Sequence, residues 1–289
     1  MGKLRGLMRL TRPYILLTTS LFFSGSAFLS VNGIPPLRQF LMGFLAVSLA
    51  IAAAHTFNDY SDWEVDVKNP RTAKRPIPTG LVSPFEALLS AVLLGTSAII
   101  LAFLLNILST LIALAAVSLP FMYNYFRKHK IPFSFICTVI AIFFITLFGS
   151  ASVTGKLISN HVPLLLILGL TWETGRTLIS EIQDVEPDRA SSVSTLSVIL
   201  SSKTAAKFIV ILFTSTSIMS VVIGILAQLG ILYLIVAFAA SSWLIYRSIE
   251  LLRQPITRNA VKMRISAPRY LAIICIAITI SIISNTLIV

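Results

Sequence analysis

Carboxylates at helical spacing are the feature of this sequence most able to do chemistry. In the segment HTFNDYSDWEVDVKNP, Asn58, Asp62 and Asp66 lie four residues apart, which places their side chains on one face of an α-helix. The segment ETGRTLISEIQDVEPDR repeats this spacing with Asp184 and Asp188. Because like charges one turn apart destabilise a helix, two such pairs predict a compensating cation.

Magnesium is the cation that these side chains favour. Mg²⁺ prefers hard oxygen ligands, and it takes one or two carboxylates together with water and substrate phosphate. The sequence therefore predicts a diphosphate held through Mg²⁺ between the two acidic clusters. Asp59 lies about 100° around the helix from this face and receives no role. The alternative interpretation is that the acids are loop residues balancing nearby lysines and arginines.

Basic residues follow the first cluster and also a later apolar stretch. The segments are NPRTAKRPIPTG, whose prolines stiffen a loop, and PFMYNYFRKHK. Both are predicted at the same end of the molecule as the acids, where their cations could bind phosphate or simply anchor the chain at a membrane surface. The candidate residues are Arg71, Lys74, Arg75, Tyr123, Arg127 and Lys128.

Arg176 is predicted inside an apolar stretch, on the same helical face as Asp184. A charge placed there is costly and is a functional indication in its own right. The alternative is an ion pair with Glu173 three residues earlier. The three histidines have no spacing typical of a zinc site.

The elements that must position these residues are transmembrane helices. The 289 residues are 56% hydrophobic and 12% charged, with a mean hydropathy of +0.90, so most of the surface must face lipid. Apolar stretches long enough to cross a bilayer recur along the chain. We predict an all-α membrane protein with nine spans at 14–31, 38–58, 84–105, 107–126, 132–154, 162–181, 205–227, 229–247 and 268–288.

The net charge of +12 predicts membrane topology and not a nucleic-acid surface. In the nine-span arrangement, all of the 23 lysines and arginines lie on one side except Arg38, Lys156 and Arg176. The positive-inside rule makes that side cytoplasmic, with the N-terminus and the active site facing the cytoplasm of a multi-pass cell-membrane protein. We expect the first apolar stretch to remain as a span and the two cysteines, Cys137 and Cys275, to be packing residues.

Each acidic cluster follows an even-numbered span, and four helices separate the two clusters. This pattern predicts two four-helix units plus one additional helix. We expect one transmembrane domain over residues 1–289, with a first half of about 1–130 and a second half of about 131–289.

Taken together, these motifs resemble the UbiA superfamily of intramembrane prenyltransferases. NDYSDWEVD resembles the family's NDxxDxxxD motif, and DVEPD resembles its second motif, DxxxD. Tyr123 to Arg127 resembles the YxxxK motif, with arginine in place of lysine, and RPIPTG follows the first motif as in the family.

The resemblance implies transfer of a prenyl group from a prenyl diphosphate to an acceptor, inside a helical bundle open to membrane lipid. It implies that Asn58, Asp62, Asp66, Asp184 and Asp188 hold Mg²⁺ and the diphosphate, the four aspartates being the catalytic set. It also implies that Arg127 and Lys128, with Tyr123, neutralise the leaving group. Aromatic faces can stabilise developing positive charge, and the candidates are Phe57, Phe121, Tyr125, Phe143, Phe144, Phe148 and Trp172.

Within the family, GRTLISEIQDVEPDR and TLSVILSSKTAAK most resemble archaeal digeranylgeranylglyceryl phosphate synthases, whose acceptor is geranylgeranylglyceryl phosphate. Thr177 stands where those enzymes commonly carry glutamate, and Ser180–Glu181 replaces a Lys–Asp pair. An acceptor phosphate would suit Arg71, Lys74, Arg75 and Arg176.

Three other functions are open at this point. An aromatic acceptor, such as 4-hydroxybenzoate or a quinone precursor, would need fewer cations. A terpene cyclase would use the same scaffold without an acceptor. A transporter is a further alternative, but its site belongs near the membrane midplane, whereas these acids lie at one membrane face.

Overall fold

The computed structural model describes residues 2–68, 72–129, 131, 134–190 and 201–288, with the backbone alone for residues 184, 186–190 and 288. All regular secondary structure in these ranges is helical. The helices are α1 (Gly2–Leu10), α2 (Pro13–Val31), α3 (Leu37–Ser61), α4 (Trp63–Lys68), α5 (Pro84–Leu105), α6 (Ile107–Lys128), α7 (Phe135–Thr154), α8 (Val162–Ala190), α9 (Ser202–Leu226), α10 (Gly230–Arg253) and α11 (Thr257–Ile288).

Nine of the described helices are long and apolar enough to cross a membrane, namely α2, α3 and α5 to α11. The predicted all-α fold with nine spans is therefore confirmed. The start of the predicted span 132–154 lies at two residues outside the described ranges, and α7 begins at Phe135.

The stretch between the predicted spans 229–247 and 268–288 is mostly helical, so the predicted bounds of these two spans are too short. Helix α10 continues to Arg253 and α11 already begins at Thr257, whereas the last span was predicted from 268. Hydropathy detects the part of a helix that lies in hydrocarbon, and a helix can continue beyond it with polar residues. For the same reason α8 runs past its predicted end at 181 and carries the second acidic cluster on helical backbone.

Helices that follow one another along the chain pack side by side, and α11 returns to contact α2. The most extensive contacts join α3 with α5 and α8 with α9, which occupy equivalent places in the two predicted four-helix units. Since successive spans alternate in direction, α3 and α8 end on the same side. We call this side of the bundle the acidic end.

The two larger buried clusters both receive residues from α2. Phe22 belongs to the largest cluster with Phe213 and Tyr270, and the neighbouring Phe23 belongs to the next with Phe148. Helix α7 also contributes to both, so α2 and α7 join the two clusters. Cys137 and Cys275 are buried free thiols, as expected of packing residues.

Helices α2 and α7 approach each other closely at Gly149. A Cβ atom built at Gly149 would lie 2.5 Å from the Cβ of Ser26 and 3.2 Å from the carbonyl oxygen of Phe23. The Ser26 hydroxyl donates a hydrogen bond of 2.6 Å to the carbonyl of Thr146 at the same crossing. Small residues let helix backbones meet in membranes, where packing holds helices together.

We expect Gly149→Ala to destabilise the protein by about 1–3 kcal/mol, because the added methyl group forces α2 and α7 apart. The thermal unfolding midpoint in detergent measures this. Gly33→Ala is the matched control, since a Cβ there meets nothing closer than 3.8 Å. An equal midpoint for the two variants would show that this crossing does not need its glycine.

Candidate active site

The first acidic cluster lies where α3 gives way to α4. Asp62 follows the last residue of α3, and α4 begins at Trp63. The Asp62 N–H donates to the Asn58 carbonyl at 3.0 Å, and the Asp66 N–H donates to the Asp62 carbonyl at 2.9 Å. Because these are helical hydrogen bonds, Asn58, Asp62 and Asp66 keep the four-residue helical register that the spacing predicted.

Two of the predicted phosphate-binding arginines pair directly with these acids. Arg127 donates from Nη1 to Asp62 at 2.7 Å, and Arg75 donates from Nη1 to Asp66 at 2.6 Å. Burial raises the pKa of the Asp62 carboxyl above its ordinary value, and the charge of Arg127 opposes that rise. The arginines therefore compensate carboxylates that would be costly to leave charged and alone.

Asp59 is a second buried acid at this end, and sequence reasoning missed it. Its side chain is 5% exposed, and it accepts hydrogen bonds from Arg12 at 2.5 Å and from Arg75 at 3.2 Å. Asp59 lies off the helical face that Asn58, Asp62 and Asp66 share. Arg12 resembled an ordinary anchoring cation ahead of the first span. No local signal joins two residues so far apart in sequence.

The loop that carries Arg75 is held over the acidic end by apolar packing. Leu10 of α1 is buried in a cluster with Ile77, Val82 and Ala87, and Trp63 packs against this cluster. The side chain of Lys74 is exposed, and its carbonyl accepts a bond of 3.4 Å from Arg9. Arg71 lies outside the described residues.

Helix α6 brings Tyr123, Arg127 and Lys128 to the same end. The Arg127 guanidinium lies 5.9 Å from the centre of the Tyr123 ring. Lys128 is exposed at the last residue of the helix. Tyr123 thus lies beside the arginine that pairs with the first acidic cluster.

Arg176 forms the ion pair with Glu173 that was the alternative prediction. Its Nε donates to Glu173 at 2.7 Å and its Nη2 donates to the other carboxylate oxygen, while the Trp172 ring lies 5.9 Å away. The Glu173 side chain is 5% exposed and that of Arg176 is 29% exposed, so the pair is largely buried within the bundle.

The second acidic cluster lies on α8 beyond Arg176. Asp184 and Asp188 follow Arg176 by eight and twelve residues along the helix, but their side chains lie outside the described part of the structure. Whether these carboxylates meet Asp62 and Asp66 stays a prediction. Part of the segment TLSVILSSKTAAK is also outside the described residues.

The donor atoms of the first cluster fit magnesium. Asn58, Asp62 and Asp66 offer amide and carboxylate oxygens one turn apart, which is the chemistry that Mg²⁺ prefers. Among the described side chains, no group of three or more His, Cys, Asp or Glu residues could hold a metal ion. Two carboxylates match the number that Mg²⁺ commonly takes from a protein alongside water and phosphate.

An apolar cavity of about 250 Å³ adjoins this end between α3, α5 and α6. Two candidate aromatics, Phe57 and Phe121, line it, and the centres of their rings lie 4.4 Å apart. Phe57 directly precedes Asn58. Two other candidates have packing roles, since Phe148 belongs to the core and the Trp172 indole donates to the Ala267 carbonyl at 3.0 Å.

Comparison with known proteins gives a consistent result over the whole chain. A digeranylgeranylglyceryl phosphate synthase from Thermococcus kodakarensis is 28% identical over 282 residues, which cover 95% of this chain and 97% of that relative. A solved structure of digeranylgeranylglyceryl phosphate synthase superimposes with a TM-score of 0.75 at 24% identity, covering 98% of this chain and 100% of the other.

A second solved structure, a UbiA homologue from Archaeoglobus fulgidus bound to DMAPP and Mg²⁺, gives a TM-score of 0.68 at 19% identity and covers 95% of this chain and 99% of the other. The sequence model of the UbiA prenyltransferase family matches residues 16–276 of this chain. With nine membrane-crossing helices among its described residues and this match over most of its length, the chain belongs to the UbiA prenyltransferase family of multi-pass membrane enzymes.

Proposed function

We propose that this enzyme transfers a geranylgeranyl group from geranylgeranyl diphosphate to geranylgeranylglyceryl phosphate, forming an ether bond of archaeal lipids, with Mg²⁺ as cofactor. The observation that carries the proposal is the set of arginines at the acidic end. Arg12 and Arg75 both donate hydrogen bonds to Asp59. Arg127, from a third element, donates to Asp62. Two phosphorylated substrates meeting in one cavity would need such a concentration of cations.

The diphosphate belongs, in this proposal, beside the first acidic cluster. Asn58, Asp62 and Asp66 would hold Mg²⁺ there, together with Asp184 and Asp188 of the second cluster. When bound, Mg²⁺ neutralises diphosphate oxygens and makes the diphosphate a better leaving group.

In the reaction, the allylic carbon–oxygen bond of the donor breaks and the acceptor hydroxyl oxygen forms the new bond to that carbon. The hydroxyl proton is released, and pyrophosphate is the second product. Arg127, which donates to Asp62 at 2.7 Å, would donate hydrogen bonds to the leaving group. Tyr123 and Lys128 would add a donor and a charge on the same helix.

The apolar parts of the reaction fit the adjoining cavity. Phe57, which directly precedes Asn58, and Phe121 line this cavity, and their rings could stabilise positive charge developing on the allylic carbon. The prenyl chain would extend from there between the helices toward lipid. Water excluded from such a site cannot capture the reactive carbon.

The acceptor phosphate belongs, in this proposal, at Arg176. Glu173 holds the guanidinium through two of its nitrogens, so its orientation is fixed before substrate arrives. Lys74, together with Arg71 outside the described residues, would extend this cationic surface. The excess of basic residues on this side also supports a cytoplasmic location for the acidic end and for the N-terminus.

We expect purified protein, given geranylgeranyl diphosphate, geranylgeranylglyceryl phosphate and Mg²⁺, to form the diether phosphate, identified by mass spectrometry. A panel with 4-hydroxybenzoate and with no acceptor tests the alternatives. A prenylated benzoate would favour the aromatic acceptor, and a cyclic hydrocarbon without acceptor would favour a cyclase. Absence of the ether product from active protein would contradict the proposed acceptor.

We expect Asp62→Asn to lower pyrophosphate release roughly 100-fold or more, because the substitution removes a magnesium-binding charge aimed at the leaving group. Glu64→Gln is the matched control, since Glu64 is an exposed acid in the same segment. Comparable rates for Asp62→Asn and Glu64→Gln would show that Asp62 has no part in the chemistry.

We expect the double variant Glu173→Gln/Arg176→Gln to raise KM for the acceptor roughly tenfold or more, while KM for the prenyl diphosphate stays close to the original value. Replacing both partners avoids leaving a buried carboxylate unpaired. Arg38→Gln, at the opposite end of α3, controls for loss of a positive charge. Equal increases in both KM values would argue against acceptor binding at Arg176.

A further inference from the structure

Asp59 is a buried carboxylate at the active-site end to which the proposed chemistry gives no role. Its side chain is 5% exposed, whereas that of the neighbouring acid Asp62 is 18% exposed. A charged carboxylate at this depth is costly unless it is paired. Its partners are Arg12 at 2.5 Å and Arg75 at 3.2 Å, which come from two other elements.

One nitrogen of Arg75 donates hydrogen bonds to two acids. The same Nη1 atom donates to Asp66 at 2.6 Å and to Asp59 at 3.2 Å. Under the proposed function, on which this inference rests, Asp66 binds magnesium and Arg75 binds phosphate. A divalent ion bound to Asp66 would neutralise its charge and weaken its attraction for Arg75. Asp59 is then the acid that still pairs with Arg75.

Arg12 combines an unusual backbone conformation with its contact to Asp59. It precedes Pro13 between α1 and α2 and adopts a left-handed conformation with φ of 50°, which is unfavourable for a residue with a side chain. The ion pair with Asp59 can offset this cost. Asp59 therefore also anchors α1, whose Leu10 packs on Ile77 of the loop that carries Arg75.

We infer that Asp59 is a positioning residue: it holds Arg75, and through Arg12 the helix α1 that supports the Arg75 loop, ready for the diphosphate, and it does not itself bind magnesium. It acts through these arginines, and its loss would leave the metal ligands in place. Whether replacing Asp59 raises or lowers the affinity for an anion tests this role. Removing a negative charge from an anion site strengthens anion binding by simple electrostatics, whereas losing the support of Arg75 weakens it.

The test is Asp59→Asn in the full-length protein in detergent, with Glu64→Gln as the matched loss of one acid. Calorimetry with inorganic pyrophosphate at saturating Mg²⁺ measures anion affinity, and electron paramagnetic resonance with Mn²⁺ alone measures metal affinity. We expect Asp59→Asn to weaken pyrophosphate binding roughly tenfold with Mn²⁺ affinity unchanged within about twofold. Asp66→Asn, in contrast, should weaken Mn²⁺ binding itself.

Coupling to Arg75 provides a second criterion. If Asp59 acts through Arg75, the double variant Asp59→Asn/Arg75→Gln binds pyrophosphate no more weakly than Arg75→Gln alone. If the fold decreases in pyrophosphate affinity of the two single variants multiply in the double variant, the inference is overturned. It would also fail if Asp59→Asn bound pyrophosphate as tightly as Glu64→Gln, or if it weakened Mn²⁺ binding as much as Asp66→Asn.

Asp59→Asn leaves Arg12 without its buried partner and so risks misfolding. The variant Asp59→Asn/Arg12→Gln removes both charges, and we expect it to fold and still to bind pyrophosphate weakly; full affinity would overturn the inference. A wild-type protein that does not bind magnesium pyrophosphate would overturn the proposed function and this inference with it. Normal wild-type binding with an unaffected Asp59→Asn variant would overturn this inference alone.

Discussion

The cost of placing charge inside an apolar helical bundle determines the arrangement at the acidic end. Asp59 and Asp66 are buried where α3 passes into α4, and a carboxylate in such a place must be compensated. Arg75 supplies the compensation from the loop that follows α4, and Arg12 supplies it from before α2. The same electrostatic requirement that stabilises the fold therefore collects the cations that a diphosphate would bind.

This requirement connects the N-terminal segment to the site. Helix α1 is too short to span a membrane, yet Leu10 packs against the loop that carries Arg75, and Arg12 reaches Asp59 on α3. Apolar packing and ion pairing thus fix one loop from two directions. A substrate arriving at the acidic end would meet arginines already oriented, which reduces the entropy lost on binding.

Much of the fold could be predicted because hydrocarbon thickness sets the length of a spanning helix. The acidic clusters could be recognised because side chains four residues apart lie on one face of a helix. Helix ends were harder, since Thr257 begins a polar helical segment that hydropathy does not detect. The pairing of Arg12 with Asp59 depends on tertiary packing between α2 and α3, so no local pattern contains it, whereas Arg176 with Glu173 is a local pair and was among the alternatives.

The central claim is that the ends of α3 and α8 share divalent ions and one pyrophosphate group. Mn²⁺ binding in the presence of pyrophosphate, followed by electron paramagnetic resonance, tests it with Asp62→Asn and Asp184→Asn measured separately. The account predicts that each substitution alone abolishes the tightly bound Mn²⁺ signal, because both helices supply ligands. Wild-type Mn²⁺ binding in Asp184→Asn would contradict it.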